Sequence, residues 1–146
     1  MDPDVLKKNA ESRDRLLALV ASLDEQTLQR QVDADWTIAA LLAHVAFWDQ
    51  ICAVRWDAFN DGGSLADVPD TLIDFINAAN LPTWRALPGH AAVDVLRQAM
   101  EETDTRIARL PDTAVQAAMS GGFTFMLDRT GHRNEHAVQI ATFLEE

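Results

Sequence analysis

Cysteine is nearly absent. Cys52 stands alone among 146 residues, so no disulfide can form within the chain. Basic residues are scarce as well: 12 Lys and Arg stand against 23 Asp and Glu, a formal charge of −11 with an isoelectric point near 4.6. The cations are scattered singly or in pairs such as Lys7-Lys8, with no cluster to offset the balance. This charge repels phosphate backbones and anionic headgroups, which excludes nucleic acid and a membrane surface as general partners. No apolar stretch approaches the ~18 residues that span a bilayer, and the opening Met-Asp-Pro-Asp lacks the basic and apolar regions of a signal peptide. A soluble, cytoplasmic protein is expected. Strand-like alternation, internal repeats and low-complexity segments are missing too.

What is present is helical periodicity. An apolar fraction of 48% over 146 residues suits a single domain, 1–146, large enough to bury a sizeable core. Residues Pro3 to about Ser22 carry Leu6, Ala10, Leu17 and Val20 at helical spacing, interrupted on that stripe by Arg13. A polar stretch ends at Asp35, and an apolar run then extends from Trp36 to Phe59. Thr37 is the expected N-cap of this second helix, with Trp36 and Leu41 at the positions of a hydrophobic staple and Ala40 where a capping-box Glu would stand. Asn60-Asp61-Gly62-Gly63-Ser64 breaks the chain and opens a long connection. Within that connection a helix is predicted from Asp70 to about Asn80 or a little beyond, with Leu72, Phe75, Ile76 and Ala79 on one side, before Pro82 and Pro88. Gly89 to Leu110 has the cleanest stripe: Val93, Leu96, Met100, Thr103, Ile107 and Leu110. The last helix is predicted from Phe123 to about Phe143, although Gly131 inside it favours a competing start near Thr130. Four long helices with one long crossover between the second and third describe an all-α four-helix bundle.

The histidines carry the chemistry. His132 and His136 are four residues apart, so on a helix their imidazoles lie on one face, close enough to share a metal ion. Two ligands do not make a site. His44 faces the core of the second helix, where the ordinary reading is a buried imidazole bonded to a backbone carbonyl. Its depth, however, is about 10 Å from the helix start, and that of His136 is roughly 15 Å from the chain end. If the second and fourth helices are antiparallel, these depths nearly match and three imidazoles converge. His90, at the start of the third long helix, reads as a solvated surface residue, and Cys52 as a small buried filler. Asp128 is one turn before His132, either a fourth ligand, an acceptor for an imidazole N–H, or a solvated carboxylate. His132 to His136 also matches the inverted zinc-peptidase pattern, but in such peptidases the third ligand comes from well downstream and only ten residues follow His136 here. Glu135 remains a candidate base, or the partner of Arg129 or Arg133 in a surface salt bridge.

The run Trp36-Thr37-Ile38-Ala39-Ala40-Leu41-Leu42-Ala43-His44, the segment Asp74 to Asn80 and the run Gly131 to Ile140 resemble the DinB/YfiT-like superfamily in order and spacing over nearly the whole chain. The resemblance implies an up-down-down-up bundle that binds one divalent ion, zinc or nickel, through a histidine triad. Carried over by position, that triad is His44, His132 and His136. It also implies a small-molecule substrate and activities such as S-transfer or isomerisation assisted by mycothiol, bacillithiol or glutathione. A ligand-binding or sequestering protein on the same bundle is the alternative. An open metal position would supply a nucleophile at neutral pH, with Trp48 in a dry wall and Arg13 either meeting an anionic ligand or snorkelling to solvent. Histidine ligation implies an affinity for metal that falls as pH drops below about 6.5. Bundles often bury a spare apolar face, which leaves a homodimer open.

Overall fold

Each main helix begins where the chain supplies an acceptor for its free N–H groups. Asp2 accepts from Asp4 N–H at 2.9 Å to open α1 (Pro3–Ala21), with Pro3 in the first helical position. Thr37 does the same for α3 (Ile38–Asn60), taking Ala40 N–H at 3.1 Å as expected. The N-terminus of α5 (Gly89–Ala108) is capped from outside by Glu25 of the short α2 (Glu25–Leu28), whose carboxylate accepts from Gly89 N–H at 2.7 Å and His90 N–H at 3.2 Å. Those backbone bonds, Gly89 first, hold the Glu25 carboxyl down at about 2. Gly89 is required there. A Cβ at this position would lie 2.5 Å from Leu28 Cβ, so only glycine lets α2 approach the start of α5.

The computed structural model describes residues 1–146. Its remaining elements are β1 (Gln31–Asp33), β2 (Trp36–Thr37), α4 (Asp70–Ala86), α6 (Asp112–Gly121), a 3-10 turn at Thr124–Met126, and α7 (Thr130–Glu145). The fold is all-α, as expected. α3 packs on α5 and α7, and α1 packs on the same two, so the four close a ring with α1 and α3 across a diagonal. The helix α4 in the crossover lies against α3.

Several boundaries differ from expectation for identifiable reasons. The last helix starts at Thr130, because Phe123 to Asp128 form the 3-10 turn and a loop in which Asp128 accepts from Thr130 N–H at 2.9 Å. The chain does contain strand, a two-stranded antiparallel ribbon pairing Gln31 with Thr37 and Asp33 with Trp36, too short to show alternation. On α4 the inward stripe is Ile73, Ile76, Asn77, Asn80, Leu81 and Trp84, whereas Leu72 and Phe75 are 46% and 72% exposed. Two asparagines hide that stripe from a hydrophobicity pattern. The helix also runs through Pro82 to Ala86. By length and composition, α3 is apolar enough to cross a membrane, contrary to expectation, because an 18-residue average tolerates Asp49 and Arg55. Yet 67% of that window is buried inside the bundle, as befits a central helix.

The core comes in two large parts, with a small third cluster of Ala40, Ala43 and Trp84 where α4 meets α3. One cluster joins Leu16, Val20, Leu42, Val45, Leu96, Met100 and Ile140, and the other joins Trp56, Ile107, Leu110, Phe123 and Met126. Between them every main helix contributes buried polar groups: Asn9 and Ser12 from α1, Asp49 from α3, Thr103 from α5 and Arg133 from α7, with Arg129 just before it. A polar layer therefore crosses the bundle. Along α3, the partners of His44, Asp49 and Trp56 are His132, the Arg129/Arg133 pair and Met126, so α3 and α7 run antiparallel.

Candidate metal centre

His44, His132 and His136 come together, each offering a ring nitrogen, with the three atoms within 4.8 Å of one another. The ring centroids form a triangle with sides of 5.0, 5.0 and 4.8 Å. His44 Nε2 and His132 Nε2 are 3.0 Å apart, near the ~3.3 Å separation that two imidazoles adopt on one tetrahedral zinc with Zn–N of about 2.0–2.1 Å. His136 Nδ1 bonds Gln139 Oε1 at 2.9 Å, one turn along the same helix. With Nδ1 donating to that amide oxygen, the Nε2 lone pair of His136 is free to ligate.

The first two imidazoles are not ordinary core histidines. Neither His44 Nδ1 nor His132 Nδ1 meets a hydrogen-bond partner, though both atoms are buried. When one neutral ring donates across the 3.0 Å contact, the accepting ring carries its own proton on Nδ1, and that N–H meets no acceptor. The backbone-carbonyl partner expected for a structural His44 does not exist. Burial, followed by the charge of His136, pushes His44 down to about 4, while a contact with Asn77 pulls the other way. Burial pushes His132 down to about 2, helped by His136, His44, Arg129 and Arg133. Both rings are neutral at pH 7 and keep lone pairs for a cation. A donor set of three neutral imidazoles, one oriented by an amide, fits a divalent ion of intermediate softness such as zinc or nickel.

Aromatic rings fix the buried side of the cluster. Trp36 and Trp84 each stand edge-on to His44 at 5.4 Å, one from β2 and one from α4. Trp36 thus does more than staple the helix start. On the open side lies a cavity of about 610 Å³ whose walls include Trp48, Ile51, Cys52, Ile73, Phe125 and Met126, with the three histidines. Trp48 takes the expected wall position, its Nε1–H donating to Asn77 Oδ1 at 2.9 Å. Cys52 is buried, its thiol donating to Met126 O at 3.3 Å.

Other candidates fall elsewhere. His90 is exposed, 3.4 Å from Glu25. Asp128 is half-buried and lies outside the three-histidine group, its Oδ1 accepting from Thr130 N–H and Oγ1–H at the start of α7. Arg13 neither reaches the cavity nor snorkels free; it pairs with Asp104 at 3.1 Å and Asp14 at 2.9 Å. Glu135 is exposed at the cavity edge and forms no salt bridge with Arg129 or Arg133, because both arginines point inward.

Those arginines are the residues that sequence reasoning missed. Arg129 Nε donates to Asp49 Oδ1 at 2.9 Å, and Arg133 donates to Asp49 Oδ2 through Nε at 2.9 Å and Nη2 at 2.7 Å. Arg133 also reaches Asp104 at 2.8 Å and Asn9 O at 3.0 Å, while Asn9 accepts from Arg129 N–H at 2.9 Å. A signal existed. Asp49 is the first charge in the apolar run after Thr37, and a buried carboxylate needs a cation nearby.

The chain is thus an α-helical bundle with three convergent imidazoles, able to hold a metal ion, at one side of an apolar cavity. Comparison with protein families makes this specific: the model of the mycothiol maleylpyruvate isomerase N-terminal domain family matches residues 10–132, and the chain belongs to that family, within the DinB/YfiT-like superfamily. The match includes His44 and ends on His132, one turn short of His136. Comparisons with curated proteins and with solved structures give no significant match.

Proposed function

We propose that His44, His132 and His136 hold one divalent cation, zinc or nickel, and that the protein is a thiol-dependent S-transferase or isomerase acting on a small molecule. The observation that carries this reading is the meeting of three ring nitrogens within 4.8 Å beside an apolar cavity. The family name, mycothiol maleylpyruvate isomerase, supports a low-molecular-weight thiol as the co-substrate. A cation bound there would hold a thiol as its thiolate, or lower the pKa of water, so that a nucleophile is present at neutral pH.

The chain's own residues prepare the site. His44 and His132 stay neutral through burial, so protons do not compete for their lone pairs near pH 7. Gln139 fixes the His136 ring. Trp48, Ile51, Phe125 and Met126 line the cavity beside the cluster with apolar surface. Glu135, at the cavity edge without an ion-pair partner, is the candidate base that takes the proton of an incoming thiol.

Elemental analysis of untagged protein after supply of zinc and nickel should give one equivalent of metal, lost in His136→Ala. A metal-free parent under those conditions would refute the proposal. The same holds if His44→Ala lowers stability while metal content stays unchanged. Incubation of the loaded protein with thiols and small electrophiles should give turnover above buffer. A second reading, a protein that binds or sequesters a small ligand, is favoured by one observation: the cavity has no buried acid–base pair, its exposed Glu135 aside. Stoichiometric thiol binding without turnover would select that reading.

A further inference from the structure

We infer that Asp49 is a positioning residue for the histidine cluster: held between Arg129 and Arg133, its carboxylate fixes α7 on α3 at the depth where His132 and His136 meet His44. The cluster is assembled across a joint that apolar packing alone leaves loose. His44 is on α3 and the other two histidines are on α7, yet α7 packs more closely on α1 than on α3. Beside the histidines and the core packing of Ala137 and Ile140, the polar link between α3 and α7 is the Asp49 carboxylate.

The chemistry of that link is directional. Asp49 follows His44 by five residues, Arg133 is the neighbour of His132, and Arg129 is one turn earlier. Three charge-assisted bonds of 2.9, 2.9 and 2.7 Å run from two planar guanidiniums to the two oxygens of one carboxylate. Guanidinium forks accept few orientations, so bonds from Arg133 in the first turn of α7 and from Arg129 at its N-cap define both the rotation and the axial position of the helix. Asp49 and Arg133 are fully buried, which denies water the chance to replace a lost partner. A shift of α7 by one residue would break these bonds and carry the rings of His132 and His136 away from His44 together. Arg133 also engages Asp104 of α5, through Nη1 at 3.3 Å and Nη2 at 2.8 Å, a link that ties α7 to a helix carrying none of the three clustered histidines.

Asp49→Asn keeps the volume and removes the charge, and Asp104→Asn serves as the control of comparable chemistry. Both are made in the full chain, with folding checked by circular dichroism. In metal-free protein, nitrogen-15 spectra of the imidazole rings report the His44–His132 contact. Zinc affinity and the visible absorption of bound cobalt report ligand geometry, and for these readouts alone the inference rests on the proposed metal site. Asp49→Asn should lose the parental ring signature, bind zinc about 10–100-fold more weakly and change the cobalt spectrum. Asp104→Asn should lower stability yet keep the ring signature and stay within about twofold of parental affinity. Parental ring signals in Asp49→Asn, or equal losses in both variants, would overturn the assignment. Should Asp49→Asn fail to fold, Arg129→Lys, which keeps the charge and gives up the fork, is read in the same way. A parent that binds neither zinc nor cobalt would sink the proposed function, while the metal-free ring spectra would still decide the role of Asp49.

Discussion

His132 and His44 exchange their usual basicity for a neutral, buried state. Unfolded histidines titrate near 6.5, so below that pH the unfolded chain takes up protons that the folded rings refuse, and unfolding gains. The contribution to stability is whole above about pH 6.5 and declines as pH falls, down to about 4 for His44 and about 2 for His132. Between pH 7 and 5, metal-free protein should lose about 1–2 kcal/mol for each ring, measured by urea unfolding. His132→Leu should show a smaller loss, and an undiminished one would remove His132 from this account. The same low values narrow the pH window foreseen for metal binding: protons contest His44 only near pH 4. Cys52 shows burial acting in the opposite sense. Its thiol is pushed up to about 11 by desolvation, against the pull of Arg129, so iodoacetamide should label it in urea and leave it largely unmodified in native protein at pH 8. The three histidines were legible because spacing and depth are written in the chain. Asp49 and its arginines were not, since which of many surface-type charges turns inward depends on helix rotation that periodicity alone leaves undetermined.

At the scale of elements, caps and close approaches set the boundaries. Thr37→Ala removes the acceptor for Ala40 N–H at the start of the helix that carries His44; the expected loss is about 1 kcal/mol in chemical denaturation. Gly89→Ala should cost more, about 1–3 kcal/mol, because its Cβ meets Leu28 at 2.5 Å and must push α2 away from α5. A neutral outcome there would mean that α2 moves freely. The helices α1, α3 and α5 could be read in advance from apolar periodicity, Thr37 and the prolines. The start of α7 was legible only as the competing boundary near Thr130 that Gly131 suggested, because Phe123, Phe125, Met126 and Leu127 extend an apolar pattern through the 3-10 turn, three of them filling the second core cluster. The face of α4 was misplaced for a related reason. Asn77 points inward to accept from Trp48 Nε1–H, and Asn80 is tolerated on that side because its amide donates to Ile76 O of its own helix.

For the whole molecule, a cation on His44, His132 and His136 would tie α3 to α7, so binding should register as global stability. Zinc at about 100 times its Kd adds about 2.7 kcal/mol, and for a domain of this size that raises Tm by roughly 5–10 °C. Differential scanning calorimetry should show this rise in the parent and its absence in His136→Ala. Bundle architecture was legible from four apolar stripes, yet the division of the core by a polar layer was not. Arg13 interrupting the first stripe and Thr103 the third were its traces, readable only once the helices are set side by side. The central position of α3 has a further consequence, for biogenesis. Residues 38–60 leave the ribosome before α5 and α7 exist, and they form the one helix long and apolar enough for a bilayer. Until α7, synthesised well after it, closes over it, the nascent chain presents a greasy rod to chaperones and membranes alike. Variants that loosen α7 should therefore leave a larger insoluble fraction on expression than the parent, beside any change in the folded fraction.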